Sequence, residues 1–231
     1  MKKQFVILAL ALAFCLQLSA QTYKIYTSAI NFENQLRPCF TVKYDASPKE
    51  VKKAWDDYFK KTYDVKVKGI GFLTNKEVIT ATDITLVAVS DKRMNLYASV
   101  VDAPGERSEL SYFMSFGYDF FIGADNYPTE FAAMKKILND FSVEFLTDFY
   151  YSEASRMTSE IKGLEKDIKQ NNKSIKKNTK KARKESKEVA NGLSAKNTSM
   201  EMENDQAKKK IEELSKAIDE IKVKQAGVKR N

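Results

Sequence analysis

The sequence contains no histidine, only two cysteines and only eight glycines among its 231 residues. Without histidine, the chain lacks the commonest general base and metal ligand and every Ser–His or Cys–His nucleophile pair. Two cysteines are too few for a four-cysteine zinc site or an iron–sulfur centre. No glycine-rich phosphate loop is present. We therefore assign no catalytic residue, no metal ligand and no cofactor, and we predict that the protein is not an enzyme.

The N-terminus is basic and then apolar. Two lysines precede the uncharged stretch Phe5–Leu18, which is followed by Ser-Ala and then Gln21. This pattern predicts a signal peptide over residues 1–20, cleaved after Ala20, and hence a secreted or periplasmic protein. The apolar run, about 14 residues, is short for a membrane span, so we expect no transmembrane helix in the mature chain; a retained N-terminal anchor is the alternative. Lipoprotein processing at Cys15 is disfavoured because the bulky Phe14 precedes it.

Cleavage after Ala20 would leave Cys39 as the single cysteine, which excludes an intramolecular disulfide. An unpaired cysteine in a secreted protein can bond to a second chain. Cys39 lies in a strand-like segment that also contains Phe40 and Val42, and cysteine in such a setting is usually a small buried hydrophobic residue. We predict burial.

Charge and aromatic residues divide the mature sequence near residue 150. Residues 21–150 hold 16 basic and 18 acidic residues, whereas residues 151–231 hold 21 basic and 13 acidic residues. No Phe, Tyr or Trp follows Tyr151, and aromatic side chains supply much of a globular core. The sequence therefore predicts a globular domain over 21–150 and a separate lysine-rich region over 151–231.

Residues 21–150 show the strand and helix signals of an α+β domain. Ser47, Pro48 and Glu50 form a helix start with a capping box. The predicted order is β-β-α-β-β-β-β followed by a helix, with strands over 23–30, 38–44, 63–67, 77–89, 94–101 and 108–116. We expect a mostly antiparallel sheet with helices covering one face.

A wide apolar stripe marks the predicted helix over residues 128–151, which we expect to pack on the sheet. Such an arrangement can enclose an apolar-ligand cavity between sheet and helix. The preceding loop, residues 117–123, is rich in aromatic residues. Tyr118, Phe120 and Phe121 are therefore candidates for the rim of a ligand or partner site, and the alternative is that the loop folds back onto the core.

Heptad repeats run through residues 151–231 and predict a coiled coil. They are interrupted around 190–193, where Asn191-Gly192 is a turn signal. We therefore predict an antiparallel helical hairpin with its turn at 190–193. Facing residues then have numbers that sum to 382, which places Ile168 opposite Leu214 and Asn178 opposite Asn204.

Eight basic residues and no acidic residue occur between positions 169 and 184. In the predicted register this stretch faces residues 198–213, whose acidic side chains would balance part of its charge. The remaining positive charge predicts a surface for an anionic partner. The basic residues are Lys169, Lys173, Lys176, Lys177, Lys180, Lys181, Arg183 and Lys184. The absence of aromatic residues for base stacking, and of any DNA-reading motif, argues against nucleic acid as a partner.

The layout resembles uncharacterised secreted or periplasmic proteins of Bacteroidota-type bacteria: a signal ending in Ser-Ala-Gln, a small α+β domain and a lysine-rich coiled coil. Its outline is also similar to periplasmic chaperones of the Skp type, which have basic helical arms on a β body. These resemblances transfer no functional residues. We expect a non-enzymatic cell-envelope structural or protein-interaction protein with a globular base and a projecting coiled coil, and a holdase is one candidate role. Its partner would be another protein or a second copy, bound through the coiled coil, or an anionic envelope surface.

Overall fold

The computed structural model describes residues 22–69, 78–105 and 107–228. The predicted signal peptide, residues 1–20, and the Cys15 processing site lie outside these residues. The described elements, in chain order, are β1 (Tyr26–Phe32), β2 (Gln35–Tyr44), α1 (Pro48–Tyr63), β3 (Val78–Thr85), β4 (Arg93–Val101), β5 (Ser108–Ser115), α2 (Pro128–Ala182) and α3 (Lys187–Ala226). The described residues divide into two compact units: one comprises those up to Phe149 together with Gly227 and Val228, and the other is Tyr150–Ala226.

The first unit contains a five-stranded sheet in the order β1-β2-β5-β4-β3, with every pair antiparallel. β1 and β2 are joined by Glu33 and Asn34, whose φ angles are 55° and 60°. Positive φ at both central residues suits a tight hairpin, because it matches the natural twist of the strands. Together with the helices, this sheet confirms the predicted α+β class.

The strand predicted over 63–67 is wrong. Tyr63 is instead the last residue of α1, and Asp64 caps the helix in a left-handed conformation, its N–H donating to the Phe59 carbonyl. The next residues form a single isolated bridge, from Lys68 to Thr80. The alternation of apolar and polar residues was too short to separate a helix end and an extended connection from a strand.

Ser47 begins α1 with the predicted capping box. Its side-chain oxygen accepts the Glu50 N–H at 3.4 Å, while the Glu50 carboxylate accepts the Ser47 N–H at 2.8 Å. The Ser47 hydroxyl also donates to that carboxylate at 2.6 Å. These bonds satisfy backbone donors that the first helical turn leaves free. The hydrogen bond from Ser47 lowers the pKa of Glu50.

Aromatic rings fill the space between the sheet and the two helices. Trp55 of α1 lies 4.8 Å from Phe141 of α2 and 5.1 Å from Tyr112 of β5, measured between ring centroids. Phe40 of β2 stacks on Phe131 at 4.1 Å. These five side chains are at most 6% exposed. The interior where an apolar-ligand cavity was predicted, beneath the 128–151 helix, is therefore occupied by the protein's own rings.

The opposite face of the sheet carries a smaller cluster formed by Cys39, Phe113 and Phe121. Cys39 is 1% exposed, and burial raises the pKa of its thiol. A thiol held in its neutral form is a poor nucleophile. The prediction that Cys39 is a buried hydrophobic residue is confirmed.

The second unit contains two packed helices: the part of α2 from Tyr150 onward, and α3. The turn between them comprises residues 183–186, so the turn predicted at 190–193 is wrong. Asn191 and Gly192 lie inside α3, where both are exposed. Ser186 directly precedes α3, and serine is favoured at that position because its side chain can cap free amides.

The register of the hairpin differs from the prediction by one heptad. Asn178 donates to Asn197 at 3.0 Å, and Asn204 donates to Asn172 at 3.1 Å. The residue numbers in these bonded pairs sum to 375 and 376, about seven less than the predicted 382. The predicted pairing of Asn178 with Asn204 is therefore wrong. A heptad pattern repeats every seven residues, so it leaves the register open to shifts of seven.

We predict that Ser47→Ala lowers the free energy of unfolding by about 1 kcal/mol at pH 7, because α1 loses its N-cap acceptor. The effect should shrink near pH 3. The pKa of Glu50 is lowered in the folded state, so the stability that it contributes is present above its ordinary pKa and is lost as pH falls through the folded value. Urea unfolding at both pH values measures this. Ser47→Thr, which keeps a hydroxyl, is the control, and an equal loss in both variants would contradict the capping role.

We predict that Ile168→Cys combined with Ala207→Cys forms an intramolecular disulfide on oxidation, because these numbers sum to 375. Ile168→Cys combined with Leu214→Cys should not, since a one-heptad shift moves the partner by about 10 Å. Non-reducing electrophoresis and intact mass measure both outcomes against the parent chain. Preferential cross-linking of Ile168→Cys with Leu214→Cys would contradict the observed register and support the one predicted from the sequence. Exclusively intermolecular products would mean that the helices pair between chains.

Candidate interaction surfaces

A continuous basic surface lies on the last four turns of α2, and we call it the basic face. It runs from Lys169 to Lys184, covers about 20 Å of helix at the α-helical rise, and all eight of its basic side chains are exposed. Its members are the predicted anionic-partner residues Lys169, Lys173, Lys176, Lys177, Lys180, Lys181, Arg183 and Lys184. Most of them belong to α2, and Arg183 and Lys184 begin the turn.

Heptad position explains why the basic face points away from α3. Ile168, Ile175 and Ala182 repeat every seven residues and are half-buried at the helix interface. Counted from these core positions, five of the six basic residues that belong to α2 occupy heptad positions b, c and f, which face away from the partner helix. Lys181 is the exception, at position g beside the interface. The sequence had suggested that the returning helix balances this charge, but outward-facing positions are poorly placed for that role.

None of the eight basic side chains forms an ion pair with any residue that the structure describes. In the observed register the facing stretch is 191–206, which carries Glu201, Glu203 and Asp205. Other lysines of the hairpin are paired within their own helix: Lys208 with Asp205 at 2.9 Å, Lys216 with Glu212 at 2.7 Å and Lys222 with Asp219 at 3.0 Å. The basic face is therefore a concentration of charge that the described chain does not neutralise.

Hydrogen bonds between polar side chains join α2 to α3 beneath the basic face. Asn171 donates to Glu203 at 3.2 Å, and Asn197 donates to Thr179 at 3.2 Å, alongside the two asparagine pairs described above. Asn204 is 5% exposed, and its side-chain oxygen is buried without a hydrogen-bond partner in the described chain. A polar layer inside a coiled coil fixes register at a cost in stability. This part of the hairpin therefore depends on specific hydrogen bonds more than on apolar packing.

Of the three candidate rim residues in the aromatic loop, residues 117–123, two are exposed and one is buried. Phe121 is 4% exposed and packs on the outer face of the sheet, so the loop folds back onto the core at this residue. The rings of Phe113 and Phe32 hold it in place. Tyr118 and Phe120 are 96% and 61% exposed, so they remain available to a partner.

Hydrogen bonds give the loop a defined shape. The Phe116 N–H donates to the Phe120 carbonyl at 2.9 Å, and the Phe120 N–H donates to the Gly117 carbonyl at 3.1 Å. Tyr118 adopts a φ of 43°, an unfavourable conformation for an aromatic residue. Arg37 binds Asp119 at 2.6 Å. Sequence reasoning missed Arg37, although a charged residue directly before Pro38 and Cys39 in a buried strand is a signal that could have identified it.

The described residues contain no group of three or more acidic or cysteine side chains arranged to bind a metal ion. In the same part of the chain, no helix combines the length and hydrophobicity that crossing a membrane requires. Comparison with protein-family models, curated proteins and solved structures finds no match for this chain.

Proposed function

We propose that the protein is a non-enzymatic interaction protein of the cell envelope, which binds an acidic segment of a protein partner through the basic face. The observation that supports this proposal is the set of eight exposed basic side chains without an ion-pair partner in the described chain. Clustered like charges repel one another, so bringing acidic groups beside them is favourable. The proposed secretion places this surface outside the cytoplasm.

An acidic protein segment fits the basic face better than a lipid surface does. Helices that bind membranes at the interface combine a basic face with a large apolar face that enters the lipid. The apolar side chains of this stretch, Ile175 and Ala182, are half-buried at the helix interface. No aromatic residue follows Tyr151 to anchor the hairpin in headgroups. Attraction to a lipid surface would then rest on charge alone.

We predict that the full-length protein binds poly-L-glutamate and that Lys173→Gln, Lys176→Gln and Lys180→Gln together weaken binding about tenfold. Three exposed ion pairs of roughly 0.5 kcal/mol each account for this loss. Binding should also weaken as salt rises from 50 to 300 mM, because exposed charges are screened. Fluorescence anisotropy of a labelled polymer measures the affinity, and circular dichroism confirms that the helices are intact.

The matched control replaces three paired lysines by glutamine: Lys208, Lys216 and Lys222. It removes the same net charge from the same hairpin. Because these lysines are already paired with carboxylates of their own helix, it should change the affinity less than threefold. An equal loss in both triple variants would show that net charge, not the basic face, attracts the polymer. Binding to phosphatidylglycerol vesicles but not to poly-L-glutamate would overturn the protein-partner proposal in favour of a lipid surface.

A further inference from the structure

A cavity of about 470 Å³ lies where the first half of β2 extends beyond its pairing with β5. β5 pairs with β2 only from Phe40 to Tyr44, whereas β1 pairs with β2 from Gln35 to Thr41. The cavity volume is in the range that accommodates small organic ligands. Its wall is formed by β1, β2 and the segment before α2, and includes Leu36, Arg37, Pro38, Asp119, Phe121 and Asp125.

Arg37 supplies a buried positive charge to this cavity. Its side chain is only 8% exposed, and its guanidinium carbon lies 4.2 Å from the centre of the Phe121 ring. Of its five N–H donors, one binds Asp119, and the Nε–H is buried without a partner among the described residues. A buried guanidinium with unused donors is costly, and a carboxylate that binds two of its N–H groups reduces that cost.

The Asp119 carboxylate binds the Arg37 guanidinium in the way that the carboxylate of a ligand would. Its side chain is 77% exposed, in contrast to that of Arg37. An exposed carboxylate regains full hydration when it leaves an ion pair, so its hold on Arg37 is weak. A ligand carboxylate that is delivered together with apolar contacts can therefore displace it.

The other residues that line the cavity indicate the chemistry of the rest of the ligand. Leu36, Pro38 and Phe121 contribute apolar surface, and Leu36 is 75% exposed. Asp125 also lines the cavity, and its side chain is exposed. Its negative charge, added to that of a displaced Asp119, disfavours phosphates and dicarboxylates, which carry more than one charge. The wall therefore suits a single carboxylate joined to an apolar group.

We propose that this cavity binds a small monocarboxylic acid with an apolar body, whose carboxylate replaces Asp119 on Arg37. The site belongs to the first unit and is independent of the basic face, which lies in the second. It also differs from the sheet–helix interior, where aromatic rings occupy the space.

The test uses the full-length protein with 4-phenylbutyrate as the probe and its neutral amide, 4-phenylbutyramide, as the matched ligand. Isothermal titration calorimetry should detect the acid and give at least tenfold weaker binding for the amide. Asp119→Asn should tighten binding of the acid about fivefold, because the internal competitor loses its charge. Arg37→Lys should weaken it at least tenfold, because a lysine cannot offer the guanidinium fork.

Asp83→Asn is the control, since it removes an exposed carboxylate that is paired with Arg93 elsewhere on the sheet. It should leave the affinity for the acid unchanged. Equal binding of acid and amide would show an apolar cavity without carboxylate recognition and overturn the proposal. Absence of binding at millimolar concentrations of the acid would also overturn the proposal. So would a failure of Asp119→Asn to tighten binding, and this test remains valid even if Arg37→Lys does not fold.

Discussion

Burial of aromatic rings on one face of the sheet is the interaction on which the first unit depends. Trp55 touches Tyr112 of the sheet and Phe141 of α2, so a single side chain links three elements. Tyr44 adds a hydrogen bond to Ser142 at 2.6 Å, which satisfies its buried hydroxyl. Large aromatic side chains bury much apolar surface and prefer tilted contacts. The packing that holds the helices on the sheet is the same packing that fills the interior.

Because that interior is full, binding surfaces have to form elsewhere. The outer face of the sheet has a smaller cluster, and the loop after β5 crosses it and places Phe121 beside Arg37. The part of β2 that is not paired with β5 lines the cavity described above. In the second unit, the outward heptad positions of α2 carry the basic face. Both sites are therefore made by surfaces that the core leaves free.

Periodic features were predictable from the sequence alone. The α1 cap, the antiparallel sheet, the helix start at Pro128 and the heptads of residues 151–231 each follow from local spacing of residue types. That the helix from Pro128 continues without a break to Ala182 was not predicted. Segments whose local sequence is compatible with two different structures were harder to predict. Tyr63 and Val65 alternate with Asp64 as a strand would, yet they surround a helix end. Asn191-Gly192 carries a turn signal, yet it lies in α3 because a register shifted by one heptad places the turn at 183–186.

The sequence by itself determined which residues are basic, which are aromatic and how each repeats along the chain. It therefore determined the fold class, the burial of Cys39 and the concentration of charge between residues 169 and 184. Tertiary structure decided which of the registers that differ by seven residues the hairpin adopts. It decided that Phe121 is buried while Tyr118 is exposed. It also decided that Arg37 meets Asp119, 82 positions later in the chain. The physical reason is that local periodicity fixes the face of an element, whereas contacts between distant segments depend on packing that no local pattern encodes.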